Sequence, residues 1–203
     1  MQKGMTIVYP VHSGLYINLT NRCPCACTFC IRQKSDSVYE QNPLWLEHEP
    51  SFEEVKAAIL SEDLEKYSEF VFCGFGEPTE ALEVLLQTAE FLKSKTKKPV
   101  RINTNGLGNL VNKKDITPLF KGLIDSISIS LNSSDPKIYE KNCRPKFGQE
   151  SHGAMLEFAK NAAKFVPNVT MTTVSTTITH EDEKKCRALC QKLGVKYRIR
   201  DFI

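Results

Sequence analysis

Six runs rich in β-branched and aromatic residues recur along the 203-residue chain, with helix-like patterns between them. The runs are "LYINLT" (15–20), "EFVFCGFG" (69–76), "VRINTNG" (100–106), "SISISLN" (126–132), "VTMTTVST" (169–176) and "YRIRDFI" (197–203). Ser51-Phe52-Glu53-Glu54 reads as a capping box that opens a helix through Val55, Ile59 and Leu60. Leu82, Leu85, Leu86 and Ala89 follow helical spacing, as do Met155, Phe158, Ala159 and Ala162. A last helix opens near Thr179, carries Cys186, Leu189, Cys190 and Leu193, and stops at Gly194. Between the third and fourth runs Pro118 permits only a short helix. Such alternation predicts an α/β fold with a parallel sheet under helices and right-handed crossovers. A complete eight-unit barrel usually needs about 250 residues. The expectation is therefore a partial (β/α)6 TIM-like barrel, a six-stranded parallel sheet open at one side, as a single domain over residues 1–203.

Composition narrows the class of function. The chain is 41% apolar and 25% charged, which disfavours disorder, and its net charge of +3 is too mild to make nucleic acid or membrane the main partner. The basic run Lys93, Lys95, Lys97, Lys98 reads as a solvated corner. No apolar stretch approaches the ~20 residues of a membrane span, and "MQKGMTIVYP" lacks the apolar core of a secretory signal. The expected location is the cytoplasm, where thiols stay reduced. Eight cysteines there point to metal or redox chemistry before disulfides.

In parallel α/β folds ligands bind beyond the carboxyl ends of the strands. The first run is followed by "NRCPCACTFC", the second by Gly74-Phe75-Gly76-Glu77-Pro78 and the third by Asn103-Thr104-Asn105-Gly106. The fourth ends in Ser130-Leu131-Asn132 and the fifth in Ser175-Thr176-Thr177. Each tract taken alone reads more readily as a turn; together they place polar groups and glycines on one rim.

Four thiols, Cys23, Cys25, Cys27 and Cys30, crowd one of those tracts. Thiolates bind zinc or iron–sulfur clusters. A structural zinc site usually draws two short pairs from separate pieces of chain, and no second pair with such spacing follows. Cys23-x3-Cys27-x2-Cys30 suits three corners of a four-iron cube and leaves one iron without a protein sulfur, and an open metal position marks catalysis. Cys186 and Cys190 lie on the apolar side of a helix and read as core, and Cys73 reads as packing in its strand.

Cys23-Pro-Cys-Ala-Cys27-Thr-Phe-Cys30 resembles the CxxxCxΦC signature of radical S-adenosylmethionine (radical SAM) enzymes, with Phe29 in the aromatic slot. Gly74-Phe75-Gly76-Glu77 is similar to that family's glycine–glutamate motif. "NLTNRCPCACTFCIR", "GFGEPT" and "CRPKFG" together resemble the small TatD-linked radical SAM proteins over nearly the whole chain. The resemblance implies that Cys23, Cys27 and Cys30 ligate a [4Fe–4S] cluster whose fourth iron takes the amino and carboxylate groups of S-adenosylmethionine (SAM). Backbone around Gly74, Phe75 and Gly76, with the Glu77 carboxylate, would receive the methionine ammonium. Thr104, Asn105, Ser130 and Asn132 would face the SAM ribose and carboxylate. The resemblance further implies reductive cleavage of SAM to a 5′-deoxyadenosyl radical that abstracts hydrogen from an unidentified substrate. A reductant such as a flavodoxin or ferredoxin, and a functional link to a TatD-type nuclease, go with it.

Cys25 departs from a bare three-cysteine motif. Three readings stay open: a bystander turned from the cluster, a substitute ligand during rebuilding, or a fourth ligand in a resting form. On the substrate side, Arg32, Trp45 and His48 belong to a long polar loop (31–50) suited to a lid. Cys143 and Arg144 of "KNCRPKFGQE" (141–150) are the candidate catalytic residues, as hydrogen donor and anion binder, with Lys146 a further candidate for the anion. Within the enzyme reading the chain also suits a radical activase for a partner protein; the competing class is a non-catalytic iron–sulfur or zinc protein.

Overall fold

The computed structural model describes residues 3–37 and 42–201. Seven strands form one sheet in sequential order: β1 (Val8–Val11), β2 (Gly14–Ile17), β3 (Glu69–Phe72), β4 (Val100–Thr104), β5 (Ser126–Ser130), β6 (Asn168–Val174) and β7 (Lys196–Arg200). β2 to β7 are parallel, while β1 runs antiparallel to β2. The six expected parallel strands are thus present as β2 to β7, and one antiparallel edge strand, β1, is added to them. Pro10 sits in β1, a position open to proline because an edge strand can lack one ladder donor. The last expected strand, 197–203, ends at Arg200, and its residues 202 and 203 lie outside the described residues.

Among the described residues six α-helices connect the strands: α1 (Phe52–Leu60), α2 (Leu82–Lys95), α3 (Gly108–Asn112), α4 (Pro136–Cys143), α5 (Glu150–Ala162) and α6 (His180–Leu193). The capping box at Ser51 and Glu54 forms in both directions. Thr179 caps α6, and Gly194 ends it in the left-handed region at φ 71°. The Pro118 segment is a single 3₁₀ turn, Thr117–Phe120. α4 was not anticipated; Asp135 caps it through the amides of Lys137 and Ile138, with Pro136 in its first turn.

Strand register divides the sheet into two unlike faces. The row Ile17, Phe72, Ile102, Ile127, Val169 is buried and joins the main core with Val55, Ile59, Leu85, Leu92, Phe120, Phe158 and Cys186 from the covering helices and turn. The alternate row on the other face runs Asn103, Ser128, Thr170, Lys196, flanked by Tyr16, Arg101, Ser126, Ser130, Thr172, Arg198 and Arg200. A doubly wound sheet would be apolar on both faces. One apolar and one polar face is the pattern of a partial barrel, with helices outside and a hydrophilic interior.

Curvature round the polar face agrees with one electrostatic neighbour: Arg200 on β7 lies within range of Cys73, the residue after β3. Four strand spacings, about 19 Å in a flat sheet, would otherwise separate their strands.

Candidate active site

Because β2 to β7 are parallel, the segments after their carboxyl ends share one rim. The cysteine loop there is tied along its length to the end of α4 and the loop after it. The Ala26 amide donates to the Cys143 carbonyl (3.0 Å), Thr28 to Asn142 (2.9 Å), and Lys146 back to Pro24 (2.8 Å). Cys25 and Pro145 form a β-bridge at the centre of this lacing. The two tracts that stand out in the sequence thus meet through their main chains.

The thiols fall into two sets. Cys23, Cys27 and Cys30 are partly exposed, while Cys25 and Cys143 are buried among core side chains. Cys25 is turned toward the core, yet its sulfur stays in hydrogen-bond reach of Cys23 and Cys27. Cys143 lies against Cys27 and receives a hydrogen bond from Asn132 Nδ2 at 3.2 Å. Hydrogen bonds from Cys143 and Cys25 bring Cys27 down to about 4. The hydrogen bond with Cys25 likewise lowers Cys23. Cys25 is raised by the same bonds and Cys143 by its bond to Cys27, and burial adds to both. Cys30 is raised by burial, against the pull of the Arg32 amide and charge. Among the described residues no three His, Cys, Asp or Glu side chains converge on a single ion. A four-iron cube does not require that, since each thiolate meets a different iron. Three rim thiols on one loop, beside the Arg32 cation, fit an anionic cluster.

Arg32 does more than a lid residue would. Its guanidinium donates to the carbonyls of Cys25 (3.1 Å), Phe75 (3.2 Å) and Asn21 (3.4 Å), joining the cysteine loop to the loop after β3. Trp45 is a wall: its ring meets Phe75 edge-on at 5.1 Å, and its carbonyl accepts from the Gly4 amide. His48 is exposed and bonded to Glu54 of the capping box at 2.8 Å. The centre of that loop, residues 38–41, lies outside the described residues.

Gly74 and Gly76 serve close approach of the chain to itself. A Cβ on Gly74 would stand 2.0 Å from Asn18 Oδ1, and one on Gly76 would stand 2.2 Å from the Thr20 carbonyl. Asn18 donates to the Leu44 and Thr6 carbonyls, and its buried Oδ1 has no partner. Glu77 is 3% exposed, so its carboxylate faces inward rather than onto the rim. Its Oε1 accepts from the Thr104 hydroxyl (2.6 Å) and from the Thr79 hydroxyl (2.8 Å) and amide (3.2 Å). Its Oε2 accepts from the Asn105 amide at 2.7 Å. Burial raises Glu77, and these donors hold it back.

The remaining rim residues take distinct places. Asn105 points its amide at Cys23 Sγ, 3.8 Å away. Phe29 packs partly buried on the core. Ser130 is partly exposed at the end of β5. Asn132 is buried in the left-handed region at φ 59°, its Oδ1 unpartnered. Arg144 is exposed and ends α4 at φ 45°, and Lys146 reaches Glu80 at 3.5 Å. Cys73 is not core packing: it is partly exposed, and its thiol bonds to the Asn103 side chain on the polar face. The basic corner is partly neutralised by Lys93–Asp125 and Lys98–Glu65. A surface cavity of about 320 Å³ lies elsewhere, between Arg22, Glu49 and Glu80.

A half-open parallel barrel with thiols gathered at its carboxyl rim is an architecture suited to a rim-mounted metal cofactor. The family model described as the radical SAM superfamily matches residues 17–193, and the chain belongs to that superfamily. Its members are enzymes that use a [4Fe–4S] cluster and SAM. Among solved structures, Streptococcus suis SuiB bound to S-adenosylmethionine aligns with a TM-score of 0.70 at 17% identity, over 94% of this chain and 41% of SuiB. A radical SAM methyltransferase from Sphaerobacter thermophilus aligns at 0.64 and 10% identity, over 96% of this chain and 68% of that one. Methylornithine synthase (PylB) aligns at 0.61 and 13%, over 94% and 53%. At these identities the likeness is one of fold, and this chain spans about two fifths of SuiB. No curated protein matches the chain by sequence. No described helix is long and apolar enough to cross a membrane.

Proposed function

We propose that Cys23, Cys27 and Cys30 hold the [4Fe–4S] cluster and that the rim after β3 to β5 binds SAM for hydrogen abstraction from a substrate. The observation that carries this reading is the split among the thiols: three partly exposed on one rim loop, Cys25 and Cys143 buried behind them. When bound, cluster and SAM supply one-electron cleavage of the sulfonium to a 5′-deoxyadenosyl radical.

The chain's own residues orient and shield. Arg32 fixes the cysteine loop against the loop after β3 and contributes positive charge beside the thiolates. The backbone of Gly74 to Gly76 is the acceptor surface for the methionine ammonium. Glu77 stands behind it, with Oε2 the less occupied carboxylate oxygen. Asn105, Ser130 and Asn132 offer neutral polar groups for the ribose and carboxylate. Cys143 and Asn132 keep Cys27 in a fixed setting from below. A flavodoxin or ferredoxin is the proposed reductant.

Anaerobic reconstitution with iron and sulfide tests the reading. A brown protein near four irons that converts SAM to 5′-deoxyadenosine and methionine under reduction is expected. A colourless protein with one zinc on these cysteines would overturn it, and an iron protein indifferent to SAM would make it an electron carrier.

A further inference from the structure

Two arginines on the polar face of the sheet have opposite surroundings. Arg101 on β4 is fully engaged: Glu69 takes two of its nitrogens (2.7 and 3.0 Å), Asn103 Oδ1 a third (2.7 Å), and the Tyr16 hydroxyl lies 3.4 Å away. Arg200 on β7 has a buried Nε with no hydrogen-bond partner, and among the described residues no carboxylate pairs with it. It shares its row with Val174 and stands above Arg198 and Thr172 in the strand register. Its neighbours by charge are the Cys73 and Cys27 sulfurs and the repelling Arg198, and burial lowers it below the usual arginine range.

A partly desolvated guanidinium with no carboxylate partner is costly, and core residues of similar volume would be more stable in its place. Its location gives it a use. On that face the strand register places it one step beyond the row of Arg198, Thr172 and Ser130, with Thr170 and Ser128 in the row below. Arg200 and Ser130 are partly exposed there, while Thr172 is buried. The thiolates have a cation of their own in Arg32. Arg200 faces the interior side, where Cys73 comes first among its neighbours.

We propose that Arg200 is the receptor for an oxyanion of the substrate, a carboxylate or a phosphate, bound on the polar face of the sheet. A guanidinium offers paired N–H donors that match either group. The inference rests on the reading of the rim as a radical SAM site and assigns that site a negatively charged substrate class.

The test uses Arg200→Met, with Arg200→Lys as the variant that keeps the charge. Thermal unfolding of the isolated protein is followed in chloride, acetate and inorganic phosphate at matched ionic strength. Acetate or phosphate should stabilise the wild type, Arg200→Lys partly, and Arg200→Met not at all. In chloride Arg200→Met should unfold at or above the wild-type temperature, the signature of a residue kept for binding rather than stability. SAM affinity of the reconstituted protein should stay within about twofold of wild type. A loss of SAM affinity of about tenfold in Arg200→Met would mean that the anion is SAM's own carboxylate, and the substrate assignment falls. Destabilisation of Arg200→Met in chloride, or anion effects independent of residue 200, would also overturn it. Failure of the wild type to build a cluster or bind SAM strikes the parent reading instead, and leaves the anion comparison legible.

Discussion

Thr104, the last residue of β4, donates its hydroxyl to Glu77 Oε1 at 2.6 Å, and its own Oγ1 accepts from the Gly106 amide at 3.0 Å. One hydroxyl thus joins the loops after β3 and β4 and fixes the turn that carries Asn105 toward Cys23. Thr104→Val keeps the shape and removes both bonds, leaving a buried carboxylate and amide short of a partner. A loss of about 1–3 kcal/mol is expected in urea unfolding, with Thr104→Ser recovering most of it. SAM affinity should fall in Thr104→Val. Equal stability of the two variants would mean that the bond is not maintained in solution.

Gly76 and Gly74 separate two kinds of steric demand. Alanine at 76 meets main-chain carbonyls of Thr20 and Arg22, which cannot rotate away. The three atoms nearest an alanine at 74 all belong to the Asn18 side chain. Gly76→Ala should therefore cost at least the ~1–3 kcal/mol of overpacking, and Asn18→Ala should not rescue it. Gly74→Ala should be destabilising in the native background and less so with Asn18→Ala, a coupling that a double-mutant cycle reads directly.

Cys27→Ala should abolish cluster assembly, whereas Cys25→Ala should leave most of it, with iron and sulfide content as the measure. Cys25→Ala removes a small buried group and should cost stability on the order of 1 kcal/mol. Equal iron loss in the two variants would contradict the choice of ligands.

His152 gives the protein a neutral-pH sensitivity outside the thiols. Burial holds it below its ordinary 6.5, against the opposing pull of the Ser133 carbonyl and Asp135. Its ring contacts the Ser133 carbonyl at 3.0 Å and lies edge-on to Tyr139 at 5.3 Å. The unfolded chain therefore takes up a proton at a pH where the folded chain does not. This contribution is complete above the unfolded value and is lost as pH falls toward the folded one. Unfolding midpoints should drop between pH of about 7.5 and about 5.5 in the wild type, and the drop should shrink in His152→Gln.

The parallel core of the fold was legible because its strands are dense in β-branched residues and its helices carry explicit caps, Ser51 and Thr179 among them. β1 was not: "VYPV" is short, contains Pro10, and turns through His12 and Ser13, which lack the Asn-Gly or Asp-Gly signal of a tight hairpin. The start of α4 was written in Asp135-Pro136 but lay between two more conspicuous tracts. The cysteine loop could be read because its spacing is local. Arg32, Asn18 and Arg200 could not, since their significance lies in partners from distant strands and loops. A period-two signal for the polar face was present in "SISIS" and "YRIR", where every second residue is hydrophilic.

The main-chain lacing of residues 24–28 onto 142–146 separates two events that small zinc modules merge. Those modules fold only when metal arrives. Here the scaffold around the thiols is ordered by amides and carbonyls that no iron touches. The backbone bonds of the loop are therefore expected to outlast loss of the cluster.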